Sequence, residues 1–415
     1  MDLIKELTLR NVINNITNDK KLQKFINDKN AGLYVGFDPS FHSLHLGNYL
    51  MLVTLKRFMN YGYSIYALIG GATGQIGDPS GKKTERKLLD LKTLEKNEQA
   101  ISNQINKLIN AKVINNRVFY QDMDVFSFLR IVGKEINVNY LLEKEVINKR
   151  LESGISYAEF TYPLIQGYDF LQLYKKHKIH CQLGGSDQWG NITTGIELIR
   201  KKFGDDNDAF GITVNLLTKS DGTKFGKSES GAIYLDSNLT SPYKMYQFLV
   251  NQQDSDVKKL LLALTFYSVN EVEEIMEQHE ANKTKRYAQN MLAQAIVKDI
   301  HGLEALNKAM HTSELFFNNQ LDKLDENTLL DCLNDLPSFN ATNDQYNIID
   351  LLINLGVCNS KTNARQLITS NGISVNNQII NDLNTVISKA DALGKVNKFS
   401  YLKKGKRNYY LINWK

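Results

Sequence analysis

The first half of the chain predicts an open, doubly wound α/β sheet, and three observations carry the prediction. "GLYVGF" (32–37) and "YSIYALIGG" (63–71) are apolar runs of strand length, and "NYLMLVTLKRFMNYG" (48–62) between them has helical spacing. Strand, helix, strand in that order is the unit of a parallel sheet with right-handed crossovers. A third buried run, "KIHCQLGG" (178–185), leads into a second helical pattern, "DQWGNITTGIELIRKKFG" (187–204). Such sheets bind ligands at the carboxyl ends of their strands. The Gly-rich turns fall there: Gly36, Gly70 with Gly71, and Gly184 with Gly185.

The remaining elements follow in order. The opening "MDLIKELTLRNVINNITNDK" carries Asp2 and Glu6 and reads as a soluble helix, without the layout of a signal peptide. Residues 125–160, rich in Leu, Ile, Val and Tyr, read as an insertion between the two halves of the sheet. From Ser241 to about Lys323 the pattern is helical, and residues 326–345 turn polar and read as a linker. The expected domains are therefore 1–223 (sheet, with the insertion), 224–240 (a mobile loop and strand), 241–325 (helical), 326–345 (linker) and 346–415 (a small terminal domain).

Composition narrows the class. With 415 residues, 42% apolar and 23% charged, the chain has ample length for a core and no run long enough for a membrane span. Cys181, Cys332 and Cys358 lie far apart, as in a reduced cytoplasmic protein rather than a disulfide scaffold. The net charge of +5 is uneven: residues 346–415 hold 10 Lys/Arg against 3 Asp/Glu, a net of +7, and the rest of the chain is at −2. A small basic domain points to a polyanion, nucleic acid above all. A solvated surface is the plain alternative.

Four motifs carry chemistry. In "GFDPSFHSLHLGNYL" (36–50), His45-Leu46-Gly47-Asn48 falls at a strand-to-helix turn. A helix N-terminus with free N–H groups is an anion site, and Gly47 lets a ligand approach the backbone. His42 and His45 as metal ligands would need a third at sensible spacing, and none follows. "GGATGQIGDPSGKK" (70–83) fails as a phosphate loop, because Ile76 and Lys83 stand where glycine and Ser/Thr are needed; what remains is a loop with Asp78, Lys82, Lys83 and Arg86. "LLTKSDGTKFGKSESGAIYLD" (216–236) places Lys219, Lys224, Lys227 and Ser228 between turn signals, suited to phosphate. In "TYPLIQGYDF" (161–170), Tyr162, Gln166 and Asp169 share one helix face, which suits a pocket for a small polar molecule. "HKIHC" (177–181) reads as strand entry rather than a metal cluster.

"HLGN", "GGSDQWGN" and "KFGKS", in that order, resemble the signatures of class I aminoacyl-tRNA synthetases. Together with "LYVGFDPSFHSLHLGNYL", "GDPSGK", "TYPLIQGYDF" and "SPYKMYQF" they resemble the bacterial tyrosyl-tRNA synthetase family over essentially the whole chain. The tail "LLINLGVCNSKTNARQLITSNGISVNNQ" (351–378) is similar to a module shared with a ribosomal protein.

The resemblance implies a Rossmann-like catalytic domain, an α-helical domain and an α+β RNA-binding domain. It implies a cytoplasmic homodimer, with residues 125–160 and Tyr157 as the dimer face. It implies ATP, L-tyrosine and tRNA-Tyr as substrates, with magnesium arriving on ATP and no metal held by the protein.

The implied residues are carried by position. Tyr34 and Asp169 would bond the substrate phenol; Asp78, Tyr162 and Gln166 its ammonium; Gln188 and Gln182 would serve its carboxyl end and pocket wall. For ATP, Gly36, Asp38, Ser40, His45, Gly47, Asn48, Gly185 and Asp187 would contact phosphate and nucleoside. Lys82, Arg86, Lys224, Lys227 and Ser228 would stabilise the departing pyrophosphate, and Lys361, Arg365, Lys403, Lys404, Lys406 and Arg407 would meet tRNA phosphates. A site built to hydrogen-bond a phenol leaves buried groups unpaired against phenylalanine, a discrimination for which this family is the standard example.

Four positions depart from the common pattern: Val35 replaces a polar or thiol residue, Asn48 replaces the second histidine, and Phe225 and Gly226 replace Met and Ser. Two rivals remain. The tryptophan branch shares the fold but normally lacks the basic tail. A non-catalytic RNA-binding protein would not need His45, Asp78, Asp187, Lys224 and Lys227 intact.

Overall fold

The structure is a computed structural model. It describes residues 3–81, 84–85, 88–152, 154–228, 231–318, 320–333, 336–394, 398–405 and 408–414. Six strands form the main sheet: β1 (Ile13–Ile16), β2 (Gly32–Phe37), β3 (Ser64–Ile69), β4 (Lys112–Asn115), β5 (Ile179–Gly185) and β6 (Phe210–Val214), in the spatial order β1-β6-β5-β2-β3-β4. β2 to β6 run parallel, and β1 pairs antiparallel with β6 at the edge. The first twenty residues thus hold more than the expected helix: Leu3–Leu9 is helical, and β1 follows. Its "INNI" lacks the period-2 pattern of a half-buried strand, which hid it.

The chain winds from β2 through β3 to β4 on one side and from β5 to β6 on the other. The order reverses between β2 and β5, and their carboxyl ends open the crevice where ligands of such sheets bind. The helices Tyr157–His177 and Trp189–Phe203 cover the sheet near that crevice. They approach closely at Gly167 and Gly195, where a Cβ on Gly167 would lie 3.3 Å from the Gly195 Cα. That approach holds the polar face of Tyr162, Gln166 and Asp169 over the strand ends.

The chain divides into two compact units, residues 1–240 with 248–300, and 241–247 with 301–415. The expected helical domain at 241–325 is therefore split. Its Asp254–Leu264, Val269–Ala281 and Tyr287–His301 helices fall almost wholly within the unit of the sheet. The physical reason is a set of buried polar ties. Arg57 donates to the carbonyls of Leu262, Ala263 and Thr265, Arg10 to those of Leu262 and Tyr267, and Tyr49 and Lys56 both donate to Asp299.

The expected linker at 326–345 is also corrected. It contains the helix Glu326–Leu333 and the strand Ser338–Ala341, which pairs in parallel with the terminal strand Asn408–Trp414. Leu329 and Leu333, one turn apart, are buried with Tyr401, Tyr409 and Leu411, so polar composition concealed an apolar stripe. The other core of this unit joins Ile348, Leu352, Ala364 and Ile368 to Leu402, Ile412 and Trp414. The terminal part is thus an α+β layer around a five-stranded sheet.

Candidate active site

A cavity of about 190 Å³ opens at the carboxyl ends of β2, β3 and β5. All seven residues expected to bind the amino acid line it: Tyr34, Asp78, Tyr162, Gln166, Asp169, Gln182 and Gln188. Gly36, Asp38 and Gly185 from the nucleotide set line it too, as do Val35 and Met51.

Two buried polar atoms on its wall, the Tyr34 hydroxyl and the Gln182 Oε1, have no hydrogen-bond partner among the described residues. Tyr34 and Gln182 are register partners on β2 and β5. Orphaned buried polar atoms are costly, so a ligand that supplies partners here would gain affinity. Asp169, 1% exposed, accepts from Asn116 Nδ2 (2.9 Å) and the Tyr120 hydroxyl (2.8 Å). Burial pushes its carboxyl up to about 8 against the lowering effect of those two bonds, and Asp38 adds to the rise. Burial, and then the neighbouring Asp169, also raise the Tyr34 phenol well above its ordinary value.

A second network holds the other end of the cavity. Gln188 donates to Asp78 (2.7 Å) and accepts from Gln166 (3.2 Å), and the Asn191 amide lies 3.0–3.4 Å from Gln166, Gln188, Asp78 and Ser80. The Tyr162 hydroxyl donates to Asp38 Oδ2 (3.2 Å), and Thr73 donates to Oδ1 of the same carboxylate. Sequence reading missed Asn116, Tyr120, Thr73 and Asn191. Asn116 follows directly on β4, and its place at a strand's carboxyl end was the available signal. Asn191 stands inside the quoted "GGSDQWGN" stretch but was not singled out.

The histidine turn and the lysine loop meet. His45 caps the Leu46–Asn60 helix in an extended conformation, and Asn48 Oδ1 accepts from the His45 N–H (3.1 Å). Burial lowers the His45 pKa, and Lys227 and Lys224 add to that, which favours the neutral ring. Gly226 has φ +90°, and a Cβ there would lie 2.7 Å from the Gly47 nitrogen. The Tyr234–His45 bridge and the Leu46 N–H bond to the Ile233 carbonyl (2.7 Å) close the contact. Lys224 also reaches toward Gly81 and Asp187, since a Cβ on Gly81 would lie 3.2 Å from Asp187 Oδ2 and 3.9 Å from Lys224 Nζ.

Not every expected residue joins this site. Ser40 is exposed and, like His45, Gly47, Asn48, Lys224 and Lys227, does not line the cavity, while Asp187 faces a separate cleft of about 840 Å³. Sequence reading did not find this cleft, which Gly81, Lys144, Lys149, Arg150 and Trp189 also line. Burial brings Lys144 down to about 8, and its ammonium donates to Thr193 (2.9 Å). Lys82, Arg86, Lys406 and Arg407 lie outside the described residues, as does the Ser228 side chain. In the tail, Arg365 is exposed, Lys361 pairs with Asp350 (2.9 Å), Lys404 donates to the Val357 carbonyl (2.7 Å), and Lys403 lies over the Tyr409 ring. Lys404 is half-buried against that carbonyl, whereas the Lys361–Asp350 pair is solvent-exposed and leaves Lys361 accessible to a phosphate. Among the described residues no group of three His, Cys, Asp or Glu could hold a metal, and no helix is long and apolar enough to cross a membrane.

A parallel sheet with a ligand cavity at its switch point and a histidine turn closed by a lysine loop is the arrangement of one class of enzyme. The family described as tRNA synthetases class I (W and Y) matches residues 27–318, and the chain belongs to it. Within that family it falls on the tyrosine branch of bacterial type. Residues 329–412 match the C-terminal domain described as "Tyrosine--tRNA ligase SYY-like". The chain is 55% identical to a tyrosine--tRNA ligase of Ureaplasma parvum over 99% of both chains. It is 42% identical to that of Geobacillus kaustophilus over the full length of both. Among solved structures, a C-terminally truncated mitochondrial tyrosyl-tRNA synthetase of Aspergillus nidulans is similar at 29% identity and a TM-score of 0.69, covering 76% of this chain and 94% of that one. The C-terminal match begins at 329, in agreement with the ordered helix and strand found where a linker was expected.

Proposed function

We propose that this chain joins tyrosine to tRNA-Tyr in two steps at the cavity between β2 and β5. The tyrosine carboxylate attacks the α-phosphate of ATP and pyrophosphate leaves; the terminal ribose hydroxyl of the tRNA then attacks the adenylate and AMP leaves. The observation that carries the amino-acid assignment is the unpartnered Tyr34 hydroxyl beside the buried Asp169. A phenol entering there accepts from Tyr34 and donates to Asp169, whereas phenylalanine leaves both unmet. Asp78, Tyr162 and Gln166 take the ammonium, with Gln188 near the carboxylate and Gln182 in the wall.

Catalysis in this reading is positioning and charge stabilisation, without a protein nucleophile. Neutral His45 donates to a phosphate oxygen, and Asn48 and Gly47 meet the nucleoside side. Lys224 and Lys227, close enough to depress the His45 pKa, stabilise pyrophosphate as it departs. Val35 gives the nucleotide side of the cavity an apolar wall where a polar residue is common, and Met51 lines the cavity beside it. Magnesium arrives with ATP as part of the substrate. The wide cleft beside Asp187, with Lys144 and Lys149, suits the approaching tRNA end.

We further infer a cytoplasmic homodimer. Val125, Phe126 and Tyr157 are 70%, 84% and 71% exposed in the apolar insertion, which supports that face as the interface. Sedimentation that finds only monomer at micromolar concentration would remove the dimer. The function is tested by pyrophosphate exchange into ATP with tyrosine, tryptophan and phenylalanine offered separately. Exchange with tyrosine alone is expected; exchange with tryptophan would move the pocket assignment to the other branch.

A further inference from the structure

The helix Asp254–Leu264 is held at both ends by groups tied to the ATP site. At its carboxyl end, the guanidinium of Arg57 donates to the carbonyls of Ala263 (3.0 Å), Leu262 (3.1 Å) and Thr265 (2.6 Å), and Arg10 adds bonds to Leu262 and Tyr267. Arg57 and Arg10 are 4% and 2% exposed, and two cations at a helix C-terminus complement its dipole. Arg57 sits on the Leu46–Asn60 helix, whose other end begins at the His45 turn.

At its amino end the same helix holds the lysine loop. Asp256, 3% exposed, accepts from the Ser220 N–H (3.1 Å) and the Ser220 hydroxyl (3.3 Å). Gln253 accepts from the same hydroxyl (3.0 Å), and Lys259, one turn beyond Asp256, donates to the Thr218 carbonyl. Ser220 lies at the tip of a turn closed by the Lys219 N–H to Thr223 carbonyl bond and the Thr218–Lys224 bridge. From there the Phe225 N–H bonds to the Leu217 carbonyl, and Gly226 presses on Gly47.

These contacts form a closed circuit: the His45 turn, the helix to Arg57, the carboxyl end of the second helix, Asp256, the Ser220 turn, Lys224, Gly226, and back to Gly47. The two helical spans match. The Asp254–Leu264 helix has 11 residues, or ~16 Å at 1.5 Å per residue. The path from Gly47 to Arg57 along the other is ~15 Å by the same rise.

We propose that Asp256 is a positioning residue for the adenylation step, latching the Ser220 turn so that the lysine loop closes at a fixed distance from the histidine turn. Among the described residues the donors to the Asp256 carboxylate come from the loop, so undocking exchanges them, with the Gln253 and Lys259 bonds, for water. That is the property of a reversible latch. The competing account is that Asp256 merely neutralises the first turn of its helix, as Asp254 beside it can do. The proposal rests on the reading that Lys224 and Lys227 serve the pyrophosphate.

The test is pyrophosphate exchange by the full chain with Asp256→Asn and Ser220→Ala, each titrated with ATP and with tyrosine, and trypsin cleavage in the 219–227 loop with and without ATP. The latch predicts that Asp256→Asn raises the KM for ATP about tenfold. It predicts an unchanged KM for tyrosine and faster cleavage of the loop. The double variant should cost less than the product of the two single effects, since both weaken the Ser220–Asp256 contact while only Ser220→Ala also loses the bond to Gln253. Equal rises in both KM values, or a lowered thermal midpoint with neither KM changed, would overturn the latch in favour of helix stabilisation. Ser220 is exposed on the loop, so Ser220→Ala keeps the test alive if Asp256→Asn folds poorly. Lys224→Ala separates the two layers: intact exchange in that variant would overturn the reading of the loop itself. Loss of exchange there, with Asp256→Asn unaffected, would overturn only the latch.

Discussion

The Tyr120 hydroxyl lies 2.8 Å from Asp169 Oδ1 and an equal 2.8 Å from the Ile165 carbonyl, so it fixes the acid to its own helix backbone. With Asn116 on the other oxygen, Asp169 is held in one rotamer before any ligand enters. Tyr120→Phe deletes a hydrogen bond to a buried acid that burial keeps largely protonated near pH 7, worth about 0.5–1.5 kcal/mol net. The KM for tyrosine in pyrophosphate exchange should rise about twofold to tenfold, with the KM for ATP unchanged. An unchanged tyrosine KM would mean that Asn116 alone positions the acid.

The same acid carries a pH signature. Its folded carboxyl is pushed up to about 8 by burial, far above the value of about 3.9 for a free aspartate. A folded pKa above the unfolded one means that Asp169 stabilises the fold most at low pH and loses that contribution as pH rises toward 8. Asp169→Asn removes the titration. Its thermal midpoint should therefore exceed that of the parent by a few degrees at pH 7–8 and fall level with it near pH 4, while tyrosine activation is lost. A constant difference across that range would show that the carboxyl does not titrate there.

The sheet and the amino-acid pocket were legible because both rest on local pattern. The buried runs of β2, β3 and β5 are continuous, and Tyr162, Gln166 and Asp169 fall on one helix face. What escaped was set by tertiary neighbours. Asn116 and Tyr120 matter only because β4 ends beside Asp169, which lies 53 and 49 residues away. The ordered stretch at Glu326–Leu333 was hidden by its polar residues, since Leu329 and Leu333 gain meaning only against Tyr401 and Leu411. Arg10 and Arg57 likewise look like surface cations until the carbonyls of Leu262 and Ala263 are seen against them.

Gly226 is the narrowest point between the lysine loop and the histidine turn. Its φ of +90° disfavours any side chain, and a Cβ would stand 2.7 Å from the Gly47 backbone, which cannot rotate away. Gly226→Ala should displace the loop and lower the exchange rate about tenfold to hundredfold, from a strain of about 1–3 kcal/mol. Gly222→Ala, also at positive φ but with open space around it, is the control and should cost much less. Equal losses in the two variants would place the cost in backbone conformation rather than in the contact.

His45 offers a test of charge at the phosphate site. Burial lowers its pKa and the two lysines add to that, which favours the neutral ring, so the expected contribution is a hydrogen bond rather than a positive charge. His45→Gln retains a neutral N–H donor and should keep most of the exchange that His45→Ala loses. His45→Lys, which adds charge, should do no better than His45→Gln. Rescue by lysine alone would mean that the site needs an imidazolium.

The ordered segment before the terminal domain changes where the chain can be cut. Residues 1–345 would lose Tyr401, Tyr409 and Leu411, the partners of Leu329 and Leu333, and would expose that apolar stripe. Residues 1–318 end where the synthetase family match ends and omit the stripe. The shorter chain should therefore be the better behaved: it should exchange pyrophosphate with tyrosine at near the parent rate, and it should charge tRNA poorly for want of the basic tail. The 1–345 chain should self-associate, seen as a concentration-dependent sedimentation coefficient absent from the shorter chain. If the 1–345 chain were instead monodisperse with the parent's thermal midpoint, the 326–345 segment would be the independent linker that its composition suggested.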